Sequence, residues 1–184
     1  MSGNKNQSIG AMGEHLVIAN LFHHGWSAVN INNTIPNFKG VDIFCQNDND
    51  SVIGIQVKTS ASNAGFPLGI SNEESFDLNY LEKHCRHPWI FVHILNIDAK
   101  DEPLKAEFFI LSPSQFISLI STAQDWYVNN YDLRAKPLKQ GSIAVMQLKW
   151  LRGENTSSNL ATKDFINPFY GNSFENAWDN LWKN

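Results

Sequence analysis

Ile9, Met12, Leu16, Ala19 and the pair Leu21-Phe22 recur at three- and four-residue spacing. They predict a helix from Ser8 to Phe22, capped by Ser8 and stopped by His23-His24-Gly25. Its apolar stripe is expected to lie on a sheet. The period then changes. Trp26 to Ile31 predicts a short strand, and the polar run Asn32 to Asn37 a loop. Val41 to Cys45 and Val52 to Thr59 predict two further strands around the turn Gln46 to Ser51, with Ile53, Ile55 and Val57 on one face. Together these two strands read as an antiparallel hairpin.

Ser60 to Ser75, rich in Gly, Ser and Asn, predicts a loop that holds one short extended piece, Phe66 to Ile70. Asp77 to His84 predicts a helix and Trp89 to Leu95 a buried strand. A charged turn, Asp98 to Pro103, leads to another strand, Glu107 to Leu111. Ser112 as cap and Pro113 at the first helical position open a helix to about Ser121. Ser142 to Leu148 predicts a strand. Asn172 to Trp182 predicts a terminal helix, with Phe174, Trp178 and Trp182 four residues apart. No repeat or linker divides the chain, so the order implies a single α/β domain, residues 1–184, with a mixed sheet.

Composition supports that reading: 184 residues, 42% of them hydrophobic, suffice to bury a core, and this excludes disorder. No apolar stretch approaches the roughly 20 residues of a membrane span. The start does not run into a signal-type apolar segment, so a cytoplasmic protein is expected. Cys45 and Cys85 make no disulfide framework. The 14 basic against 18 acidic residues argue against indiscriminate coating of nucleic acid. By segment the picture changes. Residues 1–60 hold 3 basic and 4 acidic groups, residues 61–110 hold 4 and 8, and residues 111–184 hold 7 and 6. Arg134, Lys136, Lys139, Lys149 and Arg152 follow one another with no intervening acid. Such a stretch suits phosphate tracking and equally a solvated face.

Gln56 and Lys58, two apart on a strand, project together on the side opposite Ile53, Ile55 and Val57. A hairpin folded around Asp48-Asn49 places Asp42 across from residues 55 and 56, so Asp42, Gln56 and Lys58 converge at one end of the sheet. Glu14, the only acid of the predicted first helix, can reach the same place. Mg²⁺ prefers hard oxygen ligands. Asp42, the Gln56 amide oxygen, a backbone carbonyl such as that of Val57, and Glu14 through water can supply them. The ion would acidify a bound water and polarise a phosphate, while Lys58 orients the water and offsets developing charge. The plainer alternatives are a cross-strand Asp42–Lys58 ion pair and an exposed helical Glu14. His84-Cys85-Arg86-His87 lacks a second ligand pair at zinc spacing and reads as a helix end running into Pro88.

The series Gly13-Glu14, Gly40-Val-Asp42-Ile-Phe and Ile55-Gln-Val-Lys58-Thr59-Ser60 resembles the PD-(D/E)XK nuclease superfamily. The similarity is to the branch with archaeal Holliday-junction resolvases and Mrr-type restriction endonucleases. Trp89 to Leu95, Phe108 to Pro113 and Ala177 to Trp182 are similar to segments of small bacterial domains in that superfamily. The resemblance covers about residues 8–120 and, more loosely, the tail. It implies a restriction-endonuclease-like three-layer core, a mixed sheet flanked by helices, followed by an extension over residues 121–184. It also implies Glu14, Asp42, Gln56 and Lys58 as the active set, Asp42 as principal metal ligand, and Mg²⁺ or Mn²⁺ as cofactor. Hydrolysis of DNA in restriction, defence or repair follows, with Lys39, Thr59, Ser60, Arg134, Lys136, Lys139, Lys149 and Arg152 toward the nucleic acid and a homodimer as the assembly. RNA suits the same residues. Val41 stands where many members have proline, and Gln56 replaces the usual acid, as in Mrr-like members. The missing charge weakens metal binding and motivates a second reading: a nuclease-fold module, weak or inactive in catalysis, that binds nucleic acid or protein.

Overall fold

In the computed structural model, residues 2–32, 40–99, 101–130 and 142–183 are described, with side chains from residue 6 onward. Helix α1 spans Ser2–His23. It begins six residues before the expected start, so Ser8 lies inside the helix rather than at its cap; no proline interrupts Ser2 to Gln7. Gly25, at φ +83°, ends it in a left-handed turn where the Trp26 amide donates to the Leu21 carbonyl and the Gly25 amide to that of Phe22. The buried stripe is also rotated from the expected one. Gly13, Val17 and Leu21 face inward, whereas Ala19 and Phe22 are exposed.

Strands β1 (Ser27–Asn30), β2 (Ile43–Gln46) and β3 (Val52–Ser60) form an antiparallel meander. The β2–β3 ladder pairs Ile43 with Ile55 and Gln46 with Val52. The side chain of Asn47 closes the turn by accepting from the Asn49 and Ser51 amides. Beyond it, β3 runs parallel to β5 (Trp89–Ile94), which pairs antiparallel with β6 (Ala106–Leu111). The result is a mixed five-stranded sheet of order β1-β2-β3-β5-β6.

The stretch expected as loop contains β4 (Phe66–Ser71) and helix α2 (Asn72–Phe76). β4 pairs with β7 (Ile143–Met146) in a separate two-stranded sheet. A capping box between Ser71 and Glu74 starts α2, and Asp77 caps helix α3 (Leu78–His84). Helix α4 (Pro113–Asn130) runs well past Ser121, because Ala123 and Trp126 extend its buried stripe. The strand expected to reach Leu148 gives way to a short helix, α5 (Leu148–Leu151).

Alternate residues of β5 and β6 enter two separate cores. Ile90, Val92, Ile94, Phe108 and Ile110 pack with Val17 and Leu21 of α1. Trp89, Phe91, Phe109 and Leu111 pack with β4, β7, α3, α4 and α5, where Trp89 stacks on Phe116 at 4.2 Å. Helices therefore flank both faces. The tail corrects a further expectation: only Trp178–Trp182 is helical, and it is a 3₁₀ turn. Phe174 belongs to one core and Trp178 to the other, so they cannot share a helix stripe. Residues 174–176 instead run along β6. The Ile110 amide donates to the Phe174 carbonyl, the Asn176 amide to that of Phe108, and the buried Asn180 side chain to that of Ile110. Among the described residues no helix is long and apolar enough to cross a membrane.

Candidate active site

Strand β3 changes partner halfway: residues 52–55 pair with β2 and residues 56–60 with β5. Past residue 55 the edge of β3 that faced β2 has no strand partner. Asp42, just ahead of β2, fills the gap. Its own amide donates to the Ile55 carbonyl, and its Oδ2 accepts from the Val57 amide at 2.7 Å and from the Gln56 side-chain amide. Oδ1 accepts from the Asn32 side chain at 3.0 Å.

That Asn32 amide has two hydrogens, and the other reaches Oε1 of Glu14 at 3.3 Å. Oε2 of Glu14 accepts from buried Asn30 at 2.6 Å. A carboxylate from helix α1 and one from the sheet thus share a single amide. Glu14 is delivered there by Gly13, which lets the helix touch the sheet: a Cβ at Gly13 would lie 1.8 Å from Thr59 Oγ1. Burial raises the Glu14 carboxyl above its ordinary range, the Asn30 hydrogen bond opposes that, and the charge of Asp42 adds to it. A raised folded value favours the protonated form, so the stability contributed by Glu14 is present at low pH and is lost as pH rises through that value. Glu14→Gln is therefore expected to be at least as stable as the native chain at pH 7, with a flatter pH profile, as read by urea unfolding between pH 4 and pH 8.

Lys58 shares the face of Gln56 and Trp89, and its Nζ lies 5.8 Å from the centre of the Trp89 ring. Burial lowers its ammonium below the ordinary lysine range, against the attraction of Asp42 and Glu14. Gly69 of β4, at φ +76°, closes over it; a Cβ there would stand 3.6 Å from Nζ. The structure thus gathers Glu14, Asp42, Gln56 and Lys58, and Val57 joins them through its amide.

The four expected nucleic-acid residues that are described do not gather in this way. Thr59 turns toward α1, where its Oγ1 is buried with no hydrogen-bond partner among the described residues. Ser60 is buried, and its hydroxyl closes a local turn with Ser62. Lys149 is half-buried in α5. Arg152 Nη2 bonds both carboxylate oxygens of Glu107, at 3.0 and 2.8 Å, and Glu107 also holds buried His93 at 2.9 Å. Lys39, Arg134, Lys136 and Lys139 lie outside the described residues.

Asn30 and Asn32, the residues that orient the carboxylates, were not singled out by the sequence reading. Asn30 occupies an inward position of β1, a signal that strand alternation carries, whereas Asn32 reads as loop chemistry. Cys45 and Cys85 are free and buried, and burial pushes each thiol up to about 11. Among the described residues no three His, Cys, Asp or Glu side chains converge closely enough to hold a metal ion. A cation at this site would therefore rest on two carboxylates completed by amide or backbone oxygen. Those donors are all hard oxygens, a set that suits Mg²⁺ or Mn²⁺. Comparison with protein-family models, with curated proteins and with solved structures returned no match.

Proposed function

We propose that the protein is a Mg²⁺- or Mn²⁺-dependent endonuclease of restriction-endonuclease-like architecture that hydrolyses DNA phosphodiester bonds, in restriction, defence or repair. One observation carries this: Glu14 and Asp42 meet on one Asn32 amide, beside a strand face that presents Gln56 and a desolvated Lys58. A mixed sheet flanked by helices agrees with the coarser part of the fold that the PD-(D/E)XK resemblance implies.

Asp42 and Glu14 are the charged ligands. Because the Gln56 amide nitrogen is engaged by Asp42, its oxygen is the remaining donor. A bound divalent ion would lower the pKa of a ligated water and neutralise charge on the phosphate. Asn30 and Asn32 keep the two carboxylates aimed at one point. Lys58, poorly solvated and next to both acids, orients the attacking water and balances charge that develops on the phosphate.

Asp42→Asn tests the reading. Asparagine keeps an acceptor for the Val57 amide, so the fold should persist. Loss of the charge is expected to weaken Mn²⁺ binding by about 100-fold or more in calorimetry and to remove nicking of supercoiled and linear DNA. Native protein that binds no Mn²⁺ and cuts neither DNA nor RNA would sink the proposal. The presence of only two carboxylates favours one competing reading, a module that binds nucleic acid or protein without cutting. Tight DNA binding with no Asp42-dependent metal site would establish it.

A further inference from the structure

The loop between β3 and β4 lies flat against the junction of β7 and α5. Gly65, at φ +137°, makes that approach possible: a Cβ there would stand 2.4 Å from the Met146 carbonyl oxygen and 3.2 Å from the Gln147 Cα. At the seam, Asn63, Ala64, Gln147, Leu148, Lys149 and Arg152 line a concavity of about 260 Å³. Among the described residues no carboxylate lines it.

Its polar side chains are unengaged. Gln147 holds the cap position of α5, yet its side chain makes no capping hydrogen bond. Asn63 and Lys149 make no side-chain hydrogen bond or ion pair among the described residues. Glu154, whose amide donates to the Lys149 carbonyl at 2.9 Å, forms no ion pair with its ammonium. Arg152 is held from behind. Its Nη2 donates to both oxygens of Glu107, at 3.0 and 2.8 Å, and Glu107 is fixed in turn by buried His93 at 2.9 Å. The guanidinium fork therefore keeps its N–H donors on Nη1 and Nε, and the side chain is 38% exposed.

Glu107 offsets the charge of Arg152, which leaves the Lys149 ammonium uncompensated beside an oriented guanidinium and two free amides. That set matches a phosphodiester, a single negative charge spread over hydrogen-bond acceptors. Asn63 follows Lys58 by five residues, and five residues of chain span at most about 18 Å. A DNA strand rises about 3.4 Å per phosphate, so the cavity lies within a DNA footprint of the Asp42 corner.

We propose that this cavity takes a backbone phosphate of the DNA strand cut at Asp42 and Lys58, bound by Lys149, Arg152 and the amides of Asn63 and Gln147. It rests on the nuclease reading and gives that substrate a second fixed point, within about five nucleotides of the scissile bond. Inorganic phosphate offers the same chemistry and is the other source.

Fluorescence anisotropy of a labelled duplex in EDTA, titrated at several salt concentrations, tests the cavity. Lys149→Gln is expected to weaken binding about tenfold, equally for unrelated sequences, and to lower the slope of log affinity against log salt by about one. Lys149→Arg should restore both. Asn63→Ala, which removes a neutral donor from an exposed loop, should weaken binding and leave the slope unchanged. A single neutral methylphosphonate, moved along the strand, should cost the native protein about tenfold at one position and cost Lys149→Gln nothing further there, since both delete one contact. Cleavage that persists while Lys149→Gln keeps native affinity and slope would overturn the cavity assignment and spare the nuclease. A Lys149-dependent slope in a protein without Asp42-dependent cleavage would overturn the nuclease and spare the DNA contact. Calorimetry with inorganic phosphate reads the other source: binding that Lys149→Gln removes, with DNA affinity and slope unmoved, would overturn the DNA assignment.

Discussion

Lys58→Met is expected to lower Mn²⁺-supported cleavage by about 10²- to 10³-fold while leaving the protein as stable as before, or more stable by about 1 kcal/mol. The two signs come from the same fact. Trp89 and Gly69 surround the Lys58 head group, and burial disfavours its charged form more than Asp42 and Glu14 favour it. Methionine keeps most of the stem volume and removes the desolvated charge. Because the folded value lies below the unfolded one, the unfolded chain holds more protons between them, and native stability rises with pH through that alkaline window. Methionine should abolish the rise. Single-turnover cleavage and urea unfolding at pH 7 and pH 10 read both effects. A variant that loses activity and stability together would make Lys58 a structural residue and count against its place in the chemistry.

Gly13→Ala is expected to cost about 2 kcal/mol, even though alanine is the better helix former by about 1 kcal/mol. The added carbon would sit 1.8 Å from Thr59 Oγ1 and 2.8 Å from both Thr59 Cβ and Cγ2, so rotating the hydroxyl away does not relieve the overlap. Helix α1 must move off β3, and Glu14 moves with it. Thr59→Ala deletes a hydroxyl that has no partner among the described residues, so it should be mild alone and should recover part of the loss in the double variant. Urea midpoints of the four proteins measure that coupling. Additive effects would show that the two residues do not press on each other.

What the sequence made legible follows the range of the forces involved. The β2–β3 hairpin is set by local alternation and by turn residues such as Asn47, and its pairing placed Asp42 beside residues 55 and 56 as expected. The convergence of Glu14, Asp42, Gln56 and Lys58 was readable for that reason. The pairing of β4 with β7 joins segments some seventy to eighty positions apart through a register that no local pattern encodes, so Phe66 to Ile70 read as an extended piece within a loop while the sheet it joins did not. The tail failed for a related reason. Phe174, Trp178 and Trp182 have helical spacing, yet the chain spends that spacing crossing from one core to the other. Asn32 was missed because an asparagine that orients an acid looks in sequence like one that makes a turn, whereas Asn30 carried a readable signal as a polar residue at an inward position of β1.

The strap formed by residues 174–180 orders events during synthesis. β6 is an outer strand of the five-stranded sheet, and its free edge is closed by the Phe174 carbonyl, the Asn176 amide and the Asn180 side chain, the last bonded to Ile110, which lies 70 positions earlier in the chain. A ribosome-bound chain can build the meander and the Asp42 corner well before those residues emerge. Its sheet then carries an unpaired hydrogen-bonding edge beside exposed Phe108 and Ile110, the kind of edge through which strands of different chains pair. Aggregation during synthesis is therefore expected to be most frequent in the interval between translation of β6 and translation of Asn180.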